Sequence, residues 1–467
     1  MTAIAWLRTR QGPSLGTVVG VGLVVFYLLA LAVAMGHSSF DVWGGLVVIP
    51  VLAVLTVPFA LSAARADGDA WIARIVMSAF LLKTLGAVVR YYVTFSIYGS
   101  ADADQYHSAG RHLASLFRQG DFNFDIGKKI AGTGFIEIVT GFVYTVTGAT
   151  KLGGFFVFSW LGFIGLYLFY RAFRIAFPEG ERKRYALLVF FLPSLLFWPS
   201  SIGKESWMMF TLGIASYGAA RLLAARPLGV LLFALGLLGT AMVRPHVSLI
   251  AIVAVFGAYL LRKPKRESLL GLPLKIAMLV ILALGTLAVM SQMETFFGVS
   301  KLDTETTNQI LSKATEQSTQ GGSAVQVSTP NSPVGVAQAV VAVIFRPWPY
   351  EAHNAQALLA SLEGVFLLAL FLTSLRRIAA VPRTMLRRPY VAFAVLFSLL
   401  FAYAFSAIGN FGILSRERVQ LYPLLMVLLC VPVDFAARAD VTETERDTVE
   451  TGTRREVTVG SQREPVY

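Results

Sequence analysis

Charge is scarce in this chain. Only 14% of its 467 residues are Asp, Glu, Lys or Arg, whereas 56% are hydrophobic and the mean hydropathy is +0.66. One soluble core cannot hide that much apolar surface, so a water-soluble enzyme or binding module is excluded and the bilayer is the solvent. Cysteine is nearly absent. Cys430 stands alone, which rules out intrachain disulfides, cysteine-built zinc sites and thiol redox pairs. The chain also lacks the two-residue alternation of a membrane β-barrel and any repeat of solenoid period, so helices are the remaining way to cross a membrane. The excess of 40 Lys and Arg over 27 Asp and Glu, a net charge of +13, is dispersed among short loops. That pattern writes membrane topology and argues against a nucleic-acid partner.

What is present in abundance is apolar runs of roughly 17 to 25 residues, the length a helix needs to cross the hydrocarbon. They predict an all-α polytopic transmembrane bundle of about twelve spans, near 15–35, 42–64, 72–97, 152–177, 185–198, 206–224, 228–243, 247–261, 274–290, 355–375, 390–408 and 421–435. The first reads as a retained signal anchor. Two shorter stretches, 132–147 and 334–345, read as re-entrant or interfacial helices. With the N-terminus inside, the basic clusters at 171–184, 221–226, 262–266 and 376–388 all fall on the cytoplasmic side. The expected organisation is a membrane domain over 1–435, extracytoplasmic loops at 98–131 and 291–354, and a polar, disordered cytoplasmic tail over 436–467. Both termini are then cytoplasmic, in a plasma-membrane protein surrounded by membrane lipids.

The outward side carries the unusual residues. Asp102 and Asp104, with Tyr106 and His107 just beyond, follow the third span; two carboxylates there can supply a general base and a metal or substrate ligand. The alternative is a solvated loop in which Asp104 caps a helix over 105–117. A tight turn ending in Gly203, Lys204 and Glu205 combines a close-approach glycine, a phosphate-seeking ammonium and a helix start, though it lacks the upstream glycine of a P-loop. Cations also stand outside, against the inward bias: Arg244 with Pro245 and His246, Arg346 with Glu351 nearby, and Arg416 with Arg418. Guanidinium forks match phosphate oxygens; interfacial placement or pairing with Glu351 and Glu417 is the other reading. Inside the membrane, Lys83 or Arg90 is expected to pair with Glu363.

In that order, an acidic outer loop, a Pro-Ser…Gly-Lys-Glu turn (Pro193, Ser194, Gly203 to Glu205), Arg-Pro-His, Arg-Pro-x-Pro and a final Arg-x-Arg followed by Gln420 and Pro423, the chain resembles GT-C-type membrane glycosyltransferases and related cell-envelope polysaccharide proteins. The resemblance implies a polyprenyl-phosphate-linked sugar donor, a glycan or lipid acceptor, and a reaction outside the cytoplasm. It puts the catalytic role on Asp102 or Asp104 and implies a possible divalent cation such as Mg or Mn. Lys204, Glu205, Arg244, His246, Arg346, Glu351, Arg416 and Arg418, with Tyr106 and His107, form the expected substrate-binding set. One departure is that the family's acidic loop follows its first span, where this chain has Asp41. An O-antigen-type polymerase or ligase is the closest alternative, and a transporter or lipid-linked sugar flippase is the alternative of another class.

Overall fold

The computed structural model describes residues 15–97, 99, 101–122, 127, 129–178, 180–261 and 333–432, with isolated positions between 283 and 309. Apart from those isolated positions, the expected span over 274–290, the stretch 292–332 of the expected outer loop over 291–354 and the tail over 436–467 lie outside the described residues. Among the described residues all regular structure is helical, with no strand. In chain order the helices are α1 (Leu15–His37), α2 (Phe40–Leu46), α3 (Val48–Asp67), α4 (Ala70–Tyr92), α5 (Ala101–Arg118), α6 (Phe135–Thr147), α7 (Lys151–Ala176), α8 (Arg182–Phe191), α9 (Pro193–Phe197) and α10 (Lys204–Leu223). They continue as α11 (Gly229–Ala241), α12 (Pro245–Leu260), α13 (Pro333–Phe345), α14 (Ala355–Thr373), α15 (Leu375–Arg387), α16 (Pro389–Phe405), α17 (Phe411–Glu417) and α18 (Tyr422–Leu429).

Among the described residues six segments are long and apolar enough to cross a membrane, or seven if α15 and α16, bent by 118°, count as one broken span. Helix α7 is the central one. Both its faces are buried, and it packs along α10, where glycine is required: a Cβ on Gly165 would lie 2.2 Å from the Met209 carbonyl oxygen. Ion pairs mark its ends. Lys151 holds Asp104 at 2.7 Å, and Arg174 holds Asp67 at 2.8 Å. Twenty-three residues of helix put those ends about 35 Å apart, a little more than the hydrocarbon thickness. Two of the four basic clusters read as cytoplasmic, 171–184 and 376–388, meet at the Arg174 end, where Arg377 pairs with Glu181 at 3.0 Å and Arg184 donates to Ser374 at 2.6 Å. The motif residues read as outward gather at the Lys151 end.

Several elements differ from the sequence expectation. The run over 185–198 is broken into α8 and α9, because Pro193 has no N–H to continue the ladder and Leu192 takes the extended backbone favoured before proline. The last run forms only the eight-residue α18. The stretch Ile130–Thr147, expected as a re-entrant or interfacial helix over 132–147, has the length and hydropathy of a span, and both its ends meet the same end of the bundle. Gly132 donates its N–H to the Met242 carbonyl, Phe135 packs on Trp207 in the first turn of α10, and Thr147 leads into Lys151. It therefore lies across that end, as an interfacial helix does.

Glu363, expected to pair with Lys83 or Arg90, instead grips with Lys83 the same short helix from two sides. The Lys83 ammonium donates to the Leu195 carbonyl at 2.6 Å, while the Glu363 carboxylate accepts from the Ser194 N–H at 2.8 Å and from its hydroxyl. Breaking a helix at membrane depth leaves backbone groups that must find partners within the protein. The two charged side chains supply them at α9 and so position the turn that leads to Lys204. The other cation of that region, Arg90, stacks on the faces of Phe197 and Trp198 at 4.9 and 4.7 Å.

Candidate functional site

Helix α5 starts earlier than expected, at Ala101, so Asp102 and Asp104 lie within its first turn. That corrects the N-cap reading of Asp104; both carboxylates instead face the positive end of the helix dipole. Two residues along a helix is a rotation of about 200°, so the two carboxylates diverge. Asp102 and Tyr106, four residues apart, share one face; Asp104 and His107, three apart, share another. The expected paired-carboxylate site is thereby split in two.

The first face meets a compact ionic cluster. Arg416 reaches Glu205 at 2.8 Å and Asp102 at 3.6 Å, and Arg244 reaches the same Glu205 oxygen at 3.5 Å while also pairing closely with Glu417. Gln420 donates to Glu417 at 2.7 Å. Glu205 and Glu417 are buried, whereas the Asp102 side chain is 61% exposed. Burial, followed by the Glu205 charge, raises the Glu417 carboxyl above its ordinary range against the pull of Arg244. The Glu205 charge raises the basicity of Arg416 despite burial, so that guanidinium stays ionised. Tyr106 is buried beside Gly203, and burial with the charges of Asp102 and Glu205 keeps its phenol protonated. Lys204 opens α10 next to these groups, partly exposed and, among the described residues, without an ion pair or hydrogen bond.

The second face meets another set. Lys151 holds Asp104 by its ammonium, and its backbone N–H donates to Asp41 at 3.2 Å. Asp41 arrives there because α2 packs tightly on α7: a Cβ on Gly45 would lie 2.4 Å from the Gly153 nitrogen. His107 is buried between Tyr144, at 2.8 Å from Nδ1, and Asp41, at 3.9 Å from Nε2. Burial lowers its basicity below the usual histidine range, with Asp41 acting in the opposite direction.

The remaining predicted residues lie beside the cluster in supporting positions. Arg418 is fully buried and donates to the Ile344, Arg346 and Ala360 carbonyls, tying the C-terminal end of α13 to α14. Its guanidinium is thus taken up by backbone, as an unpaired helix end requires. Arg346 forms a bidentate pair with Glu351 and lies 5.0 Å from the Phe411 ring. Burial opposes ionisation of Glu351, but the Arg346 bonds and the Trp348 amide outweigh it and hold that carboxyl below its ordinary range. His246 packs 5.8 Å from the Phe405 ring. Glu417, read from sequence only as a pairing partner for neighbouring arginines, is a central member of the cluster through Arg244, and Lys151 was not singled out at all. Neither had a motif to reveal it; their partners are 173 and 47 residues away.

Because Asp102 and Asp104 point apart and each engages a cation, they do not fit as joint ligands of one Mg or Mn ion. Among the described residues no group of three or more His, Cys, Asp or Glu is arranged to hold a metal. The chemistry on offer is anion recognition by Lys204 and the arginines, with one accessible carboxylate beside them. No protein-family model, curated protein or solved structure matches this chain.

Proposed function

We propose that the chain is a GT-C-like membrane glycosyltransferase of about twelve spans, with both termini cytoplasmic in the plasma membrane. It takes a polyprenyl-phosphate-linked sugar and transfers the sugar to a cell-envelope glycan or lipid on the extracytoplasmic side. The observation that carries this reading is the convergence of Lys204, Arg244 and Arg416 with the exposed Asp102 at the end of the bundle opposite the basic loops. In the transfer, Asp102 accepts the proton of the acceptor hydroxyl, and the acceptor oxygen bonds to the anomeric carbon. The bond from that carbon to the phosphate oxygen breaks, and the phosphate leaves with the electron pair. Lys204, without an ion pair among the described residues, and Arg416 stabilise the charge building on the phosphate. Glu205 and Glu417 hold the two guanidinium groups in place. Asp102 is favoured over Asp104 because Asp104 faces away and is held by Lys151 at 2.7 Å.

Native mass spectrometry of the purified protein tests the donor directly. Wild type is expected to carry a polyprenyl phosphate, and Lys204→Met, which disturbs no ion pair, is expected to retain at least about tenfold less, the loss of a hydrogen bond to a charged group. Equal retention by both proteins would remove Lys204 from the phosphate site. Sidedness is tested separately, in a Cys430→Ala background. A cysteine at Ser115, exposed on α5, is expected to react with an impermeant thiol reagent in intact cells, and one at Thr373, exposed at the end of α14, is not. The reverse pattern would put the cluster in the cytoplasm and end the proposal.

A further inference from the structure

Helix α15 lies at the end of the bundle that holds Arg174 and Asp67, tied there by Arg377 to Glu181 and by Arg184 to Ser374. It turns by 118° from α16, so it cannot run parallel to that helix. Its surface divides into three arcs by the 100° step of a helix. Val381 and Thr384 are buried against the protein. Leu375 and Leu386, one above the other three turns apart, are exposed. Arg376 and Arg383, seven residues and so about 10.5 Å apart, form a second exposed edge beside them.

An apolar edge next to a cationic edge, on a helix pinned by its third side, is the arrangement of a helix lying in the membrane surface. The leucines enter the acyl region and the guanidinium groups stay at head-group level. Arginine forks at that depth meet phosphodiesters, and two of them on one edge favour lipids of net negative charge. We propose that α15 binds anionic phospholipid head groups of its leaflet through Arg376 and Arg383. The site is separate from the cluster at Lys204 and independent of the reaction assigned to it.

The test uses the full-length chain in nanodiscs of phosphatidylcholine mixed with phosphatidylglycerol, released for native mass spectrometry. Wild type is expected to retain phosphatidylglycerol in preference to phosphatidylcholine. Arg376→Gln/Arg383→Gln should cut that preference by roughly fivefold per arginine, and Arg376→Lys/Arg383→Lys should keep most of it. If the Gln pair does not fold, the wild type is compared in low and high salt, where a screened head-group interaction must weaken. Preference unchanged in the Gln pair, or insensitive to salt in wild type, overturns the proposal. No preference in wild type also overturns it and leaves the basic edge to an acidic protein partner.

Discussion

Asp102→Asn is expected to reduce glycan transfer by roughly 10²–10⁴-fold while leaving donor retention and folding near wild type. The asparagine keeps the size and much of the hydrogen bonding of the aspartate but cannot accept the acceptor proton. Its contact with Arg416, at 3.6 Å and with a largely exposed side chain, contributes little to stability, so the loss falls on the chemical step. Asp104→Asn is the internal comparison. It disrupts a partly exposed pair with Lys151 on the opposite face of α5, and an effect below about tenfold is expected. Initial rates with a lipid-linked donor, measured at saturating acceptor, separate the two. Wild-type rates in Asp102→Asn would remove the proposed base. If Asp41→Asn is then the inactive variant, the chemistry belongs with His107 and Lys151 instead.

The second large effect is on stability. Arg244→Met is expected to destabilise the protein by about 3–5 kcal/mol, because it leaves Glu417 and one side of Glu205 as buried carboxylates short of a partner. Adding Glu417→Leu removes the stranded charge, and the double variant is expected to recover most of the loss. Unfolding in detergent, followed by the tryptophan signal, reads both. A single variant within about 1 kcal/mol of wild type would mean that Arg416 and Gln420 alone neutralise the pocket, and the cluster would not be the interdependent unit described above. Activity in the double variant distinguishes structure from function. It should stay low even where stability returns, because Arg244 no longer helps to hold Glu205, and through it Arg416, in place.

The helical class was legible in the sequence, and so was the gathering of the outer-loop motifs at one end of the bundle and of the clusters at 171–184 and 376–388 at the other. Hydrophobic run length and the scatter of Lys and Arg are properties of each segment on its own. Segment composition was less informative where geometry intervened. The run over 185–198, expected as one span, is cut by Pro193 into α8 and α9.

The candidate site was legible as a set of residues but not as a set of partnerships. The sequence by itself determined that Asp102, Lys204, Glu205, Arg244 and Arg416 stand at segment ends on one side, since each adjoins an apolar run whose direction follows from the charge pattern. Only the tertiary structure decided that Asp102 and Asp104 face different neighbours, that Glu417 belongs with Arg244, and that Arg418 serves backbone carbonyls. Those outcomes depend on the rotation of α5 about its axis and on how closely α2, α7 and α10 approach one another. Rotation and approach are set by packing between residues as far as 314 positions apart, as Asp102 and Arg416 are, and no local pattern encodes them.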